Sequence, residues 1–405
     1  ITSNTWKMAF IFAFISLVID GVDIMLLSFS LTSLKAEFGL STFQAGMLGS
    51  SSLAGMALGG ISGGWACDKY GRVKTIAWSV VFFSIMTCIL GFTQSYEQFL
   101  ILRFIGAFGL GSLYMACNTL MAEYVPTKYR TTVLGTLQTG QTVGYIVATL
   151  MAGAIIPDHG WRMLFYVTII PAAFALIFMR FVPEPKSWQE AKIEQIKRRE
   201  LGAETLQTHQ TTVNQVPSES IYKRIFGHTN HRKMFLLWMS TAAFLQFGYY
   251  GVNNWMPTYL ETELSMNFKA MTGYMVGAYT AMILGKILAG YAADKFGRRI
   301  TFVFGTVATA AFLPIIIFYN TPSNIAYLLV TFGFLYGIPY GVNATYMAES
   351  FSTDVRGTAI GGAYNMGRLG AAIAPATIGF IAAGGSFTMA FIVMGAADRK
   401  STRLN

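Results

Sequence analysis

Apolar residues occupy the chain in long blocks separated by short polar turns. The blocks fall near residues 6–34, 43–67, 75–93, 98–122, 131–156, 162–182, 234–260, 270–293, 300–319, 323–348 and 357–383. Each approaches or exceeds the roughly 20 residues that an α-helix needs to cross a bilayer. The pattern predicts an all-α membrane protein with eleven complete spans. A twelfth begins at Phe387 and runs only to Ala397, where the polar stretch "DRKSTRLN" takes over. With Ile1 rather than Met at the start, the expectation is a chain incomplete at both ends, helix 12 truncated and residues 398–405 a foreign tail.

Composition agrees: 54% of residues are hydrophobic and 12% charged, against about 25% charged in soluble domains. The net charge of +10 is distributed by side rather than in a nucleic-acid-binding patch. Lys69, Arg72, Lys74, Lys128, Arg130, Arg180, Lys295, Arg298, Arg299 and Arg356, with nine further basic residues between Lys186 and Lys233, fall on one side of the predicted spans. Lys35, Arg162 and Lys269 fall on the other. The basic side is expected to be cytoplasmic, with the N-terminus inside, in a cell membrane that is most simply a bacterial inner membrane. Cys67, Cys88 and Cys117 lack metal-ligand spacing and read as packing residues. His159, His209, His228 and His231 lie in loops, and no nucleophile with a neighbouring base is visible. Neither an enzyme nor a bound metal or cofactor is expected.

The chain is written twice. The segment "GWACDKYGR" at 64–72 returns as "GYAADKFGR" at 290–298, and 290 − 64 = 226. "MAEYVPTKYR" at 121–130 returns as "MAESFSTDVR" at 347–356, and 347 − 121 = 226. Gly111 and Tyr114 meet Gly337 and Tyr340 in the same register. This divides the chain into a six-helix half at 1–182, a cytoplasmic linker at 183–233 carrying a charged surface helix, and a second half at 234–397. Paired halves with a site at the midplane between them describe alternating-access transporters. In the repeated loops, Gly64, Gly71, Gly290 and Gly297 are expected to permit tight turns and close helix approach. Asp68 and Asp294, with Glu123 and Glu349 on helices 4 and 10, are expected to pair with Arg72, Arg130, Arg298 and Arg356 as a cytoplasmic gate. A purely structural cap is the alternative, and the presence of two copies favours the gate.

These loops, with the glycine-patterned "RFIGAFGLG" at 103–111, resemble the signature of the major facilitator superfamily, which implies the major facilitator fold. "DGVD" at 20–23, "PEPKSW" at 183–188 and "GRLGAAIAP" at 367–375 resemble more narrowly the aromatic acid:proton symporters. That likeness implies import of a small carboxylate and points to Asp20, Asp23, Arg103 and Glu123 as functional residues. The sequence departs from the family after "DGVD", where "IMLLSFSL" replaces smaller residues, so a dienoic acid stands beside an aromatic one as substrate. A sugar porter, an exporter and a non-transporting nutrient sensor are the alternatives. The absence of a Gly-Pro pair in helix 5 argues against an exporter.

Asp20 and Asp23 lie three apart on one face of helix 1, at mid-membrane depth. Each buried carboxylate costs about 2.5–3.5 kcal/mol on insertion scales, so such residues mark ion or proton paths by default. Two of them in a dry site resist ionising together, and one can carry a coupling proton; the sequence leaves open which. Pairing to Arg103 on helix 4 for packing alone is the competing reading. Arg368, about 18 Å into helix 11, is the candidate ligand for a substrate carboxylate. Gln138, Gln141, Gln246, Tyr250, Asn253, Asn254 and Trp255 are the remaining pocket candidates. Lys286 is expected to reach back to the cytoplasmic interface. The expected partners are a small carboxylate and the lipid bilayer, with the chain acting as a monomer.

Overall fold

In hydrocarbon no water is available to pair with the backbone, so the apolar blocks satisfy their N–H and C=O groups internally as helices. A computed structural model describes residues 5–125, 130–186, 188–190, 192–193, 225–227, 229–351, 356–384, 387, 389–390 and 392. Most of the linker and the suspected foreign tail lie outside the described residues, as do the side chains of Asp68, Arg130 and Arg356. The first half contains α1 (Thr5–Phe38), α2 (Thr42–Tyr70), α3 (Arg72–Leu90), α4 (Tyr96–Tyr124), α5 (Arg130–Tyr166) and α6 (Ile170–Phe178). The second contains α7 (Thr229–Thr262), α8 (Phe268–Phe296), α9 (Arg298–Phe318), α10 (Ile325–Glu349), α11 (Arg356–Ala371) and α12 (Ala374–Ala383).

Among the described residues, eight helical stretches are long and apolar enough to cross a membrane. One of them, Val133–Phe178, folds back on itself at Gly160, whose φ of 74° lets the chain reverse. The two remaining crossings are α2, diluted by Gly and Ser, and α7, which carries amides, threonines and Pro257. Counting both arms of the Gly160 turn and adding α2 and α7 recovers the eleven expected spans. The last of these is broken: α11 ends at Ala371, and Pro375 in the first turn of α12 starts a new helix.

The 226-residue repeat is a packing repeat. A Cβ on Gly59 would strike the carbonyl of Phe108, and one on Gly285 would strike that of Phe334, both pairs shifted by 226 (285 − 59, 334 − 108). Small residues at these points let backbones approach closely where no hydrophobic effect drives helices together. Gly64 and Gly290 do not serve this purpose, since open space surrounds both; contrary to expectation, their neighbours pack and they do not. The halves meet along α2 with α11 and α12, and along α5 with α8. On one side of the membrane Gly46 lies against Pro375 and Gly153 against Thr272; towards the other, Gly60 faces Asn365.

Candidate functional site

Both acids of α1 point inward and are buried, but their surroundings differ. Asp23 Oδ2 accepts from Arg103 Nη1 at 2.7 Å, and Oδ1 accepts from Thr87 Oγ1 at 2.5 Å. Arg103 also donates to Ser52 Oγ at 2.8 Å and to the Asp23 carbonyl at 3.1 Å. That ion pair ties α1, α2, α3 and α4 together with both carboxylate oxygens filled. Asp20 is 0% exposed and takes one hydrogen bond, from Gln141 Nε2 on α5 to Oδ2 at 2.9 Å. Its Oδ1 is buried with no partner. Asp20 therefore has one oxygen able to hold or release a proton without breaking an existing bond.

Arg368 comes from the end of α11 and is 1% exposed. Its guanidinium carbon lies 5.4 Å from the Tyr114 ring centroid and 5.3 Å from that of Tyr364, two rings stacked 5.6 Å apart across the halves. Nε and Nη1 are buried without a hydrogen-bond partner. Asp20 and Arg368 lie close enough to feel each other's charge, and Tyr250 belongs to the same electrostatic cluster. A buried guanidinium with two idle donors beside aromatic faces is suited to a planar carboxylate.

The remaining pocket candidates separate into three groups. Gln141 serves Asp20; Gln138 donates to Asn118 Oδ1 at 2.8 Å; Gln246 donates to the Tyr364 carbonyl at 3.1 Å and leaves Oε1 unpartnered. Tyr250, Asn253 and Asn254 line a small cavity with Ser28, Ser52 and Arg103. Its volume of about 30 Å³ has room for about two waters, so this space must widen for an organic acid to enter. Trp255 does not line this cavity: its ring is fully buried and Nε1 donates to the Pro375 carbonyl at 3.0 Å, pinning α7 to the first turn of α12. Lys286 does not reach the inner surface as expected. Its Nζ donates to the buried Thr142 Oγ1 of α5 at 2.7 Å, because α10 packs its glycine backbone against Lys286 at Gly337 and Gly341 and leaves the side chain to point across the halves.

At the expected cytoplasmic face, Arg72 pairs with Glu123 at 2.9 Å, and Arg298 pairs with Asp294 and, at 3.3 Å, with Glu349. These ion pairs join helices within each half. Gly71 and Gly297 have φ of 112° and 94°, backbone that only glycine adopts freely, which explains the repeated glycine between α2 and α3 and between α8 and α9. The Asp68, Arg130 and Arg356 parts of the expected gate lie outside the described side chains.

Sequence reasoning missed three features. Glu184 caps α3, accepting from the backbone N–H groups of Arg72, Val73 and Lys74 at 2.7–3.2 Å. Tyr114 and Tyr364 form the platform under Arg368; Tyr114 had been visible only as a repeat match of Tyr340. Tyr145, Tyr249, Tyr336 and Tyr340 form an aromatic cluster between the halves, with the Tyr145 and Tyr249 hydroxyls 3.1 Å apart. Tyrosines in apolar helices carry no signal of which neighbour they face.

The profile of the Major Facilitator Superfamily matches residues 13–284 and 269–397. A cis,cis-muconate transport protein of Acinetobacter baylyi is 66% identical over 397 residues, covering 98% of this chain and 92% of the relative. A benzoate transport protein of the same organism is 26% identical over 396 residues, covering 94% and 84%. Among solved structures, a D-xylose-proton symporter superposes with a TM-score of 0.78 at 19% identity over 98% of this chain and 97% of the other. An inward-facing bacterial homologue of the lysosomal transporter Spinster gives 0.73 at 18% identity, over 100% and 95%. These two likenesses establish the fold.

Proposed function

The chain belongs to the major facilitator superfamily and is a multi-pass membrane transporter rather than an enzyme; from that premise we propose proton-coupled uptake of a small organic acid, for which cis,cis-muconate is the first candidate. The observation that carries this reading is the pair of incomplete groups at mid-membrane: Asp20 with an unpartnered oxygen, and Arg368 with two unpartnered donors. While Asp20 is ionised it competes with any substrate carboxylate for Arg368. A proton on Asp20 removes that competitor, so proton and anion bind with positive coupling, and the coupling is reciprocal. The Asp23–Arg103 pair, already complete, fixes α1 against α2, α3 and α4 while the halves rock. The Arg72–Glu123 and Arg298–Asp294–Glu349 clusters brace the repeated turns that must part at the cytoplasmic gate.

The substrate class is supported by the 66% identity to a cis,cis-muconate transport protein. Aromatic carboxylates are the second reading, supported by the stacked Tyr114 and Tyr364 rings beside Arg368 and by likeness to a benzoate transport protein. The basic loops support a cytoplasmic N-terminus in a bacterial inner membrane, and the protein is taken to act as a monomer. The test is uptake of labelled cis,cis-muconate into proteoliposomes under an inward proton gradient, competed by benzoates, lactate and xylose. Accumulation that collapses with a protonophore and is competed by carboxylates alone is expected. Accumulation unaffected by the protonophore, or competed by xylose, overturns the proposal.

A further inference from the structure

The repeat gives Lys286 a meaning that its own helix does not. Thr142 of α5 is the counterpart of Arg368 (368 − 142 = 226), and Lys286 of α8 is the counterpart of Gly60 (286 − 60 = 226). In one half-to-half contact Gly60 admits Asn365 of α11. In the other, a lysine fills the equivalent place and puts its ammonium on Thr142. The two contacts are related by the internal pseudo-symmetry, so each side of the central site carries one cation. Arg368 stands on the α11 side and Lys286 on the α5 side.

Counting charge across the membrane interior sharpens this. Asp20, Asp23, Arg103, Lys286 and Arg368 are the ionisable Asp, Glu, Lys and Arg residues at mid-span depth among the described residues. Asp23 and Arg103 neutralise each other at 2.7 Å. Asp20 can balance only one of the two remaining cations, and balances neither when it holds a proton. Among the described residues no carboxylate pairs with Lys286; its partner is a neutral hydroxyl. A half-buried cation within the membrane, answered only by a dipole, is a costly arrangement that an anionic partner relieves. A monoanion on Arg368 leaves Lys286 bare, whereas an anion with a carboxylate at each end neutralises the proton-loaded site.

We infer that Lys286, together with Thr142, holds the second carboxylate of the transported diacid while Arg368 holds the first. The inference rests on the organic-acid reading above and makes Lys286 the residue that separates diacids from monoacids. On α5 the two contacts are consecutive: Thr142 Oγ1 accepts from Lys286 Nζ at 2.7 Å, and Gln141 Nε2 donates to Asp20 Oδ2 at 2.9 Å.

The experiment is equilibrium binding to the full chain in lipid nanodiscs, comparing cis,cis-muconate with its monomethyl ester, which keeps the diene and loses one charge. A site built for a charged group rejects an analogue lacking it strongly, so the wild type is expected to prefer the diacid by at least about 30-fold. Lys286→Gln should bring that ratio to within about threefold, and Lys286→Arg should retain most of it. Arg368→Gln should weaken both ligands. An unchanged ratio in a monodisperse Lys286→Gln sample, or a wild-type ratio near one, overturns the second anchor while leaving organic-acid transport standing. Wild-type protein that binds neither acid overturns both. Should Lys286→Gln fail to fold, the wild-type ratio and the Lys286→Arg variant decide the question.

Discussion

Arg103→Met is the perturbation whose magnitude follows most directly from the structure. It deletes the 2.7 Å pair to Asp23, the 2.8 Å bond to Ser52 and the 3.1 Å bond to the Asp23 carbonyl, in a place where Asp23 is 2% exposed. Removing one partner of a buried pair leaves an uncompensated charge and costs about 3–5 kcal/mol. The double variant Arg103→Met, Asp23→Asn removes both charges and should recover at least half of that, since an apolar or amide replacement of a whole buried pair is close to neutral. Asp20→Asn should cost no more than about 1 kcal/mol, because the new amide oxygen still accepts from Gln141 and the other oxygen position had no partner. Unfolding in mixed micelles, followed by tryptophan fluorescence as the denaturing detergent fraction rises, measures all three. If Asp20→Asn destabilises as much as Arg103→Met, or if the double variant is no better than the single, the division of labour between the two acids is wrong.

Other outcomes follow from the loops and helix contacts. Glu184→Ala strips the cap from three backbone N–H groups at the start of α3, a loss of about 1–2 kcal/mol that limited proteolysis should register as faster cleavage after residue 186. Gly71→Ala should be damaging, because φ is 112° and a Cβ there meets the Glu184 carboxylate, whereas Gly64→Ala, in open helical surroundings, should be neutral or stabilising by about 0.5–1 kcal/mol; equal thermal stability of the two variants would contradict this. Gly59→Leu should prevent α2 from reaching the Phe108 backbone on α4 and abolish monodisperse expression, while Gly290→Leu should not.

Much of this was legible in the sequence because spans, duplication and depth are one-dimensional properties. Block length gave the helices, the constant offset of 226 gave the two halves, and residue counts placed Asp20, Asp23 and Arg368 near mid-membrane. What a neighbouring helix presents is not one-dimensional. Asp20 and Asp23 looked interchangeable until Thr87 and Arg103 were found on one and Gln141 alone on the other. Lys286 sat at a depth from which a long side chain could reach either the inner interface or the opposite half, and only the packing of Gly337 and Gly341 against its backbone decided for the second. Trp255 sat among amides that line a cavity, yet its indole is taken by the Pro375 carbonyl in the first turn of α12. Glu184 caps a helix that begins 112 residues before it, and no local pattern announces such a partner.

The central claim is that Asp20 carries the coupled proton while Arg368 holds the anion. It is tested most directly by comparing two assays on Asp20→Asn in proteoliposomes with labelled cis,cis-muconate. Counterflow exchange needs substrate binding and rocking of the halves but no proton movement; accumulation under an inward proton gradient needs all three. Asp20→Asn, which mimics the protonated acid, is predicted to keep exchange within a few-fold of wild type and to lose gradient-driven accumulation. Accumulation at the wild-type level in this variant would contradict the account.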